Sequence, residues 1–269
     1  MRIIKLSLIT LLVLVGLLFV VDTAATRIRG VNQGPEIRCE EGELSISVLD
    51  GEDVLRDGVS AWDAQDGDLS QKIHIQGVSK LLTENTAKIS YIVFDSHGNF
   101  SVASRMIRYT DYSRPGFQVV QPLIYRESEQ IRLLDRVKAA DALDGDITQS
   151  IRVSALQATS DPDVWTAGVQ VTNSMGDTAR LELPIIIHTG LVVRPEVKLT
   201  EYLIYLDRDA PFRAEDYLSG VDTPIGPGEK ADVIITGPVD TSAAGTYYVY
   251  YRYPYSITAG LSVLTVVVR

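Results

Sequence analysis

Asp63-Ala-Gln-Asp66-Gly67-Asp68-Leu-Ser-Gln-Lys-Ile73 returns 78 residues later as Asp141-Ala-Leu-Asp144-Gly145-Asp146-Ile-Thr-Gln-Ser-Ile151, with seven of eleven positions identical. The same ungapped shift lays Asp95-Ser-His-Gly98-Asn99 over Asn173-Ser-Met-Gly176-Asp177. Two separate segments keeping one register mark an internal repeat, and a repeat changes the reading of the whole fold. A third copy is more degraded. Leu203-Ile204-Tyr205 echoes Leu123-Ile124-Tyr125, and Val233-Ile-Ile235 followed by Gly245-Thr-Tyr247 echoes the second half of the unit, but the Asp-Gly-Asp turn is lost.

Outward from these motifs the chain reads as strands. Short runs rich in Val, Ile, Tyr and Thr, such as 87–94 and 102–109, are separated by Gly, Asp, Asn and Pro clusters, which is the strand-and-turn pattern. Residues 95–99 form a hairpin-type loop with Gly98 available for positive φ. Beyond the N-terminal segment no amphipathic run of ten residues suits a helix. The expected fold class is all-β: three tandem β-sandwich domains, at 36–114, 115–194 and 195–269, after an N-terminal transmembrane helix. The Pro-containing junctions at 112–116 and 191–195 are short, so a semi-rigid rod is expected.

The N-terminal segment 1–35 holds an apolar stretch at residues 3–21 after a basic start, about 28 Å long as a helix at about 1.5 Å per residue. That nearly spans a bilayer, and the preceding positive charges favour a C-terminal body translocated outward. The expected location is the extracellular side of the cell membrane, on a single-pass N-terminal anchor. The competing reading is a signal segment cleaved near Thr23-Ala24-Ala25, which would leave a secreted protein. The lone cysteine, Cys39, permits no internal disulfide. Net charge is −10, and because residues 1–35 sum to +3 the remainder carries −13. A body so acidic excludes nucleic-acid binding through a basic face.

The order Asp-x-x-Asp-Gly-Asp-Ile/Leu-Ser/Thr, then a strand, then Tyr-x-Val-x-Asp-Ser-x-Gly-Asn resembles the tandem immunoglobulin-like repeats of bacterial surface proteins, of the hyalin-repeat and pesticidal-crystal-protein type. The match is good over 44–110, fair over 122–188 and weak over 200–269. The resemblance implies Ig-like sandwiches in all three domains. It is nearly silent on activity, because such modules serve as stalks, adhesins and ligand-binding accessories alike.

No catalytic constellation is present: His74, His97 and His188 share no motif, and neither a nucleophile elbow nor a zinc or phosphate-loop pattern occurs, so the chain is not expected to be an enzyme. The acidic loops are the strongest site candidate. Asp63, Asp66, Asp68, Asp95 and Asn99 in the first unit, and Asp141, Asp144, Asp146, Asn173 and Asp177 in the second, offer the hard oxygen donors calcium prefers; the same residues are also ordinary turn formers, and both readings stand. Apart from such a calcium ion no cofactor is expected. Nine of thirteen tyrosines lie after residue 195, with Tyr247, Tyr248, Tyr250, Tyr251, Tyr253 and Tyr255 crowded together. On a strand Tyr248 and Tyr250 face opposite to the others, so one set suits a core. Exposed members of Tyr248, Tyr250, Tyr251, Tyr253 and Tyr255 suit a partner surface.

Two functions follow as expectations. One is a structural or adhesive cell-surface protein, an Ig-like stalk presenting a divergent tyrosine-rich tip to a protein or glycan. The other is a membrane-anchored ligand-sensing or accessory subunit of a larger envelope complex.

Overall fold

The computed structural model describes residues 15–17, 34–83, 85–190 and 192–269. The expected membrane segment 3–21 therefore lies almost wholly outside the described residues, and among those no helix is long and apolar enough to cross a membrane.

The body is all-β. The first repeat contains β1 (Glu36–Cys39), β2 (Leu44–Ile46), β3 (Val59–Asp63), β4 (Gly67–Asp68), β5 (His74–Val78), β6 (Thr86–Phe94) and β7 (Phe100–Tyr109). The second contains β8 (Gly116–Val119), β9 (Ile124–Arg126), β10 (Val137–Asp141), β11 (Gly145–Asp146), β12 (Arg152–Val153), β13 (Gln157–Ala158), β14 (Val164–Thr172) and β15 (Thr178–His188). The third contains β16 (Glu196–Leu199), β17 (Leu203–Leu206), β18 (Leu218–Thr223), β19 (Gly226–Pro227), β20 (Ile234–Thr236), β21 (Gly245–Tyr255) and β22 (Thr258–Val268).

Each repeat folds as two sheets with one topology. The smaller sheets run β1-β3-β4, β8-β10-β11 and β16-β18-β19; the larger run β2-β7-β6-β5, β9-β15-β14-β12 and β17-β22-β21-β20, with β13 also on β14. In each larger sheet the first strand pairs parallel to the last strand of its repeat, and the long hairpins β6–β7, β14–β15 and β21–β22 supply the antiparallel frame. The reason is alternation. In β6 the pattern Ala87, Ile89, Tyr91, Val93 is buried, while Lys88 faces solvent, which suits a sheet with one face on the core.

The first two modules also close around like cores. Phe117, Val137 and Ala139 from the smaller sheet meet Val169, Leu183 and Ile185 from the larger. In the first repeat Ala61, Leu69 and Ile73 are buried along with Ile89, Tyr91 and Ile107.

The described residues form two compact units, one up to Thr110 and one from Asp111 to Arg269. Segments 115–194 and 195–269, expected as separate beads on a short linker, share the second unit. Their larger sheets pack face to face: Val164 and Ile186 of one meet Leu261 and Val263 of the other, with Ile124, Tyr248 and Tyr250 against them. Polar ties join the same two modules. The Phe117 amide donates to the Tyr205 hydroxyl at 2.8 Å, and Arg252 pairs with Asp161 at 2.7 Å.

Candidate functional site

The repeated acidic motif is built into the turns. Residues 64–66 form the loop between β3 and β4, and Gly67 takes φ +75° to close it, a conformation that favours glycine. Asp63 Oδ1 accepts from the amides of Gln65 (2.8 Å) and Asp66 (2.9 Å), an Asx turn. Asp68 accepts from the Ser70 amide at 2.9 Å. Ser70 in turn bonds back to the Ala61 backbone, and Leu69 between them is 1% exposed. Asp66 reaches across to the β6–β7 loop, where the Ser96 amide (2.5 Å) and hydroxyl (2.7 Å) both donate to its carboxylate.

The second repeat reproduces the arrangement. Asp141 accepts from the amides of Leu143 and Asp144, and Asp146 from the Thr148 amide. Thr148 bonds back to Ala139. Asp144 takes the Ser174 amide at 2.6 Å and its hydroxyl at 2.7 Å.

The β6–β7 and β14–β15 loops differ by an exchange of acid and amide. Asp95 accepts from the His97 and Asn99 amides and from Asn99 Nδ2. In the second repeat Asn173 stands there instead, and its Nδ2 donates to Asp141 Oδ2 (2.6 Å) and the Tyr112 hydroxyl (3.0 Å). Asp177, in place of Asn99, accepts from that hydroxyl at 2.8 Å and lies 3.6 Å from Arg114 Nε.

The ionisation of these groups follows their contacts. The Ser96 amide and then its hydroxyl hold Asp66 below the usual carboxylate range. The Ser70 hydroxyl and amide do the same for Asp68, and those of Thr148 for Asp146. Burial works against Asp95, but Asn99 and His97 outweigh it and its pKa is lowered. Burial, then the Asp177 carboxylate, push Tyr112 far above the phenol range. The arrangement thus ties two loops of one module together with charge-assisted bonds. Among the described residues no group of three His, Cys, Asp or Glu side chains is placed to hold a metal ion.

Sequence reasoning singled out the carboxylates but missed Ser96, Ser174 and Tyr112, to which they are tied. The two serines stand at equivalent places in the repeat, and that coincidence was the available signal. The third repeat dispenses with the device: β18 and β19 still form the hairpin, closed by the Thr223 hydroxyl donating to the Gly226 carbonyl at 2.7 Å, and β21 turns directly into β22 through Ser256 and Ile257.

The tyrosine cluster does not form an open face. Tyr251 is 0% and Tyr253 9% exposed, inside a core with Val249, Leu264 and Val266, and Tyr247 and Tyr255 pack against the same cluster. The Tyr251 hydroxyl donates to the Ala214 carbonyl at 2.7 Å. Tyr248 and Tyr250, on the opposite face, lie against the second module, where the Tyr248 hydroxyl donates to the Glu182 carbonyl at 3.0 Å. Tyr251 and Tyr253 are thus core residues, whereas Tyr248 and Tyr250 are partly covered by the neighbouring sheet and Tyr248 also borders open space.

The second unit carries open concave regions. An open cleft of about 740 Å³ lies beside that contact and is lined by Arg152, Gln170, Arg180, Glu182 and Tyr248 among others. A second cavity, of about 600 Å³, adjoins His188 and Arg194. There Arg194 pairs with Asp163 at 2.9 Å, while His188 Nδ1 and Arg194 Nε are buried with no hydrogen-bond partner. Burial, then the Arg194 charge, lower the His188 pKa.

No protein-family model and no curated protein matches this chain. Solved structures similar to it include two from Clostridium perfringens ZmpB. CBM51-2 in complex with GlcNAc and INT domains is 19% identical over 51% of this chain and 29% of that one, with TM-score 0.23. The M60 catalytic domain with CBM51-1 and CBM51-2 is 11% identical over 87% and 30%, with TM-score 0.25. Human CDH23 EC21-23 is 11% identical over 87% of this chain and 100% of that one, with TM-score 0.19. The chain spans under a third of the length of the two ZmpB structures. At these TM-scores the likenesses carry no argument about function.

Proposed function

We propose that the chain is a non-catalytic structural and adhesive protein of the cell surface, held by its N-terminal segment and displaying repeated sandwich modules to a protein or glycan partner. The observation that supports this reading is the duplicated loop tie. Asp66 with Ser96 and Asp144 with Ser174 commit the strongest candidate chemistry of the sequence to holding two loops together, as a stiff spacer requires. The partner surface is assigned away from Tyr251 and Tyr253, which are core. The membrane anchor at residues 3–21 and the extracellular location belong to the same proposal, with no resident cofactor.

The test uses the full chain produced in bacterial cells. Protease added to intact cells should remove the body, and beads carrying the full chain should adhere to cell envelopes above uncoated beads. A body protected in intact cells defeats the location, and beads that adhere no better than bare ones defeat the adhesive role.

A further inference from the structure

The outward face of the larger sheet in the second repeat changes character along its length. At Val164 and Ile186 it is apolar and covered by the third module. At Arg152, Gln170 and Arg180 it is polar and opens into the cleft of about 740 Å³, a size usual for ligand sites. These three side chains lie on adjacent strands in register, Arg152 beside Gln170 and Gln170 beside Arg180. The equivalent register in the first repeat joins His74, Ile92 and Val102. The Asp–Ser ties are the same in both repeats, so the frame has been kept while an apolar pair has become an amide and a guanidinium.

The side chains are also held ready. Gln170 Oε1 accepts from Arg180 Nε at 2.9 Å, which orients that guanidinium and leaves its two terminal nitrogens without an acceptor among the described residues. The Arg152 guanidinium has no side-chain partner there either. Tyr248 forms part of the wall, its ring fixed by the bond from its hydroxyl to the Glu182 carbonyl. Two unpaired guanidiniums thus sit in the cleft of a chain whose net charge is −10. Their strands lie two spacings apart, about 10 Å, with Gln170 between them, so each guanidinium can take a carboxylate of its own. An amide, the Glu182 carboxylate and an aromatic wall add acceptors, donors and a flat apolar surface, the set that recognises hydroxylated rings.

We propose that this cleft binds an acidic oligosaccharide, with a sugar carboxylate on each of Arg152 and Arg180 and a sugar ring against Tyr248. The inference rests on the adhesive reading and names the partner class of that reading.

The experiment is calorimetric titration of the full chain in detergent micelles with trigalacturonic acid, with cellotriose as the neutral control and triglutamate as the acidic-peptide control. Trigalacturonic acid should bind saturably, cellotriose should not, and Arg152→Gln and Arg180→Gln should each weaken binding at least tenfold while leaving the melting temperature within a degree or two. Absence of trigalacturonate binding overturns the proposal, as does equal binding of cellotriose or of triglutamate, or binding that survives both substitutions. Cell-envelope adhesion by the doubly substituted chain, measured alongside, separates the two readings: adhesion that persists without saccharide binding removes only the cleft, whereas a wild-type chain that binds trigalacturonate but does not adhere removes only the adhesive role.

Discussion

Asp144 and Ser174 stand 30 residues apart in the chain and are joined by two hydrogen bonds, from the serine amide at 2.6 Å and its hydroxyl at 2.7 Å, to one carboxylate. The β10–β11 turn of the smaller sheet and the β14–β15 loop of the larger are thereby tied. Asp66 and Ser96 make the same tie in the first repeat. The same tie recurs although the surrounding residues of the two repeats differ. It also makes the coupling measurable, since the carboxylate and the hydroxyl should not act independently.

Asp144→Ala and Ser174→Ala should each lower the melting temperature, and the double variant should fall no further than Asp144→Ala alone, because the serine hydroxyl loses its partner in either case. Additive losses in a double-mutant cycle would show that the two side chains are not coupled.

Tyr251→Ala should destabilise the second unit by about 3–5 kcal/mol, the range for removing a large buried aromatic, since its side chain is 0% exposed. Ile257→Ser, in the tight turn at the end of the same hairpin and 91% exposed, should change stability by about 0.5 kcal/mol or less. Denaturant unfolding of the two variants checks the contrast; similar losses would place Tyr251 outside the core.

Stability should fall in two steps as pH is lowered. Burial and Arg194 lower the His188 pKa, so its contribution is complete above the unfolded value of about 6.5 and declines as pH falls below it, because the unfolded chain takes the proton first. Asp66, Asp68, Asp95 and Asp146 are lowered by their hydrogen bonds. Their contribution is complete above about 4 and is lost as pH falls through the lower folded values. Urea midpoints measured against pH should show both declines, and His188→Gln should remove the first alone. A first decline that survives this substitution assigns it to another group.

Millimolar calcium should leave the melting temperature unchanged, because the carboxylates of both acidic loops already accept bonds from neighbouring amides and hydroxyls. A saturable rise that disappears in Asp144→Ala would contradict this, since a ligand selective for the folded state must raise its stability.

Gly145→Ala should cost about 1–2 kcal/mol, the usual penalty for a left-handed residue with a Cβ, although the added carbon would meet no atom within 4 Å. The cost comes from φ +67°. Gly145→Asn should cost less, as asparagine tolerates that region. Equal stability of all three proteins would mean the turn relaxes.

What the sequence determined by itself was local. The repeat register, the alternation that makes β6 and β14 strands, and the turns closed by Gly67 and Gly145 all depend on residues within a few positions of one another. The backbone geometry of those residues leaves few alternatives. The tertiary structure alone decided what each face and each lone pair meets. A period of two places Tyr248 opposite Tyr251 but says nothing of whether water or another sheet lies beyond it. Only the packing of two modules partly covers Tyr248 and Tyr250 and leaves Arg152 and Arg180 in a cleft that Tyr248 borders. The carboxylates of Asp66 and Asp144 could equally have faced a cation, because turn formers and oxygen ligands are the same residue types. Their partners, Ser96 and Ser174, are brought within reach only when the two sheets of each module close on their core, an arrangement set by contacts distant in sequence.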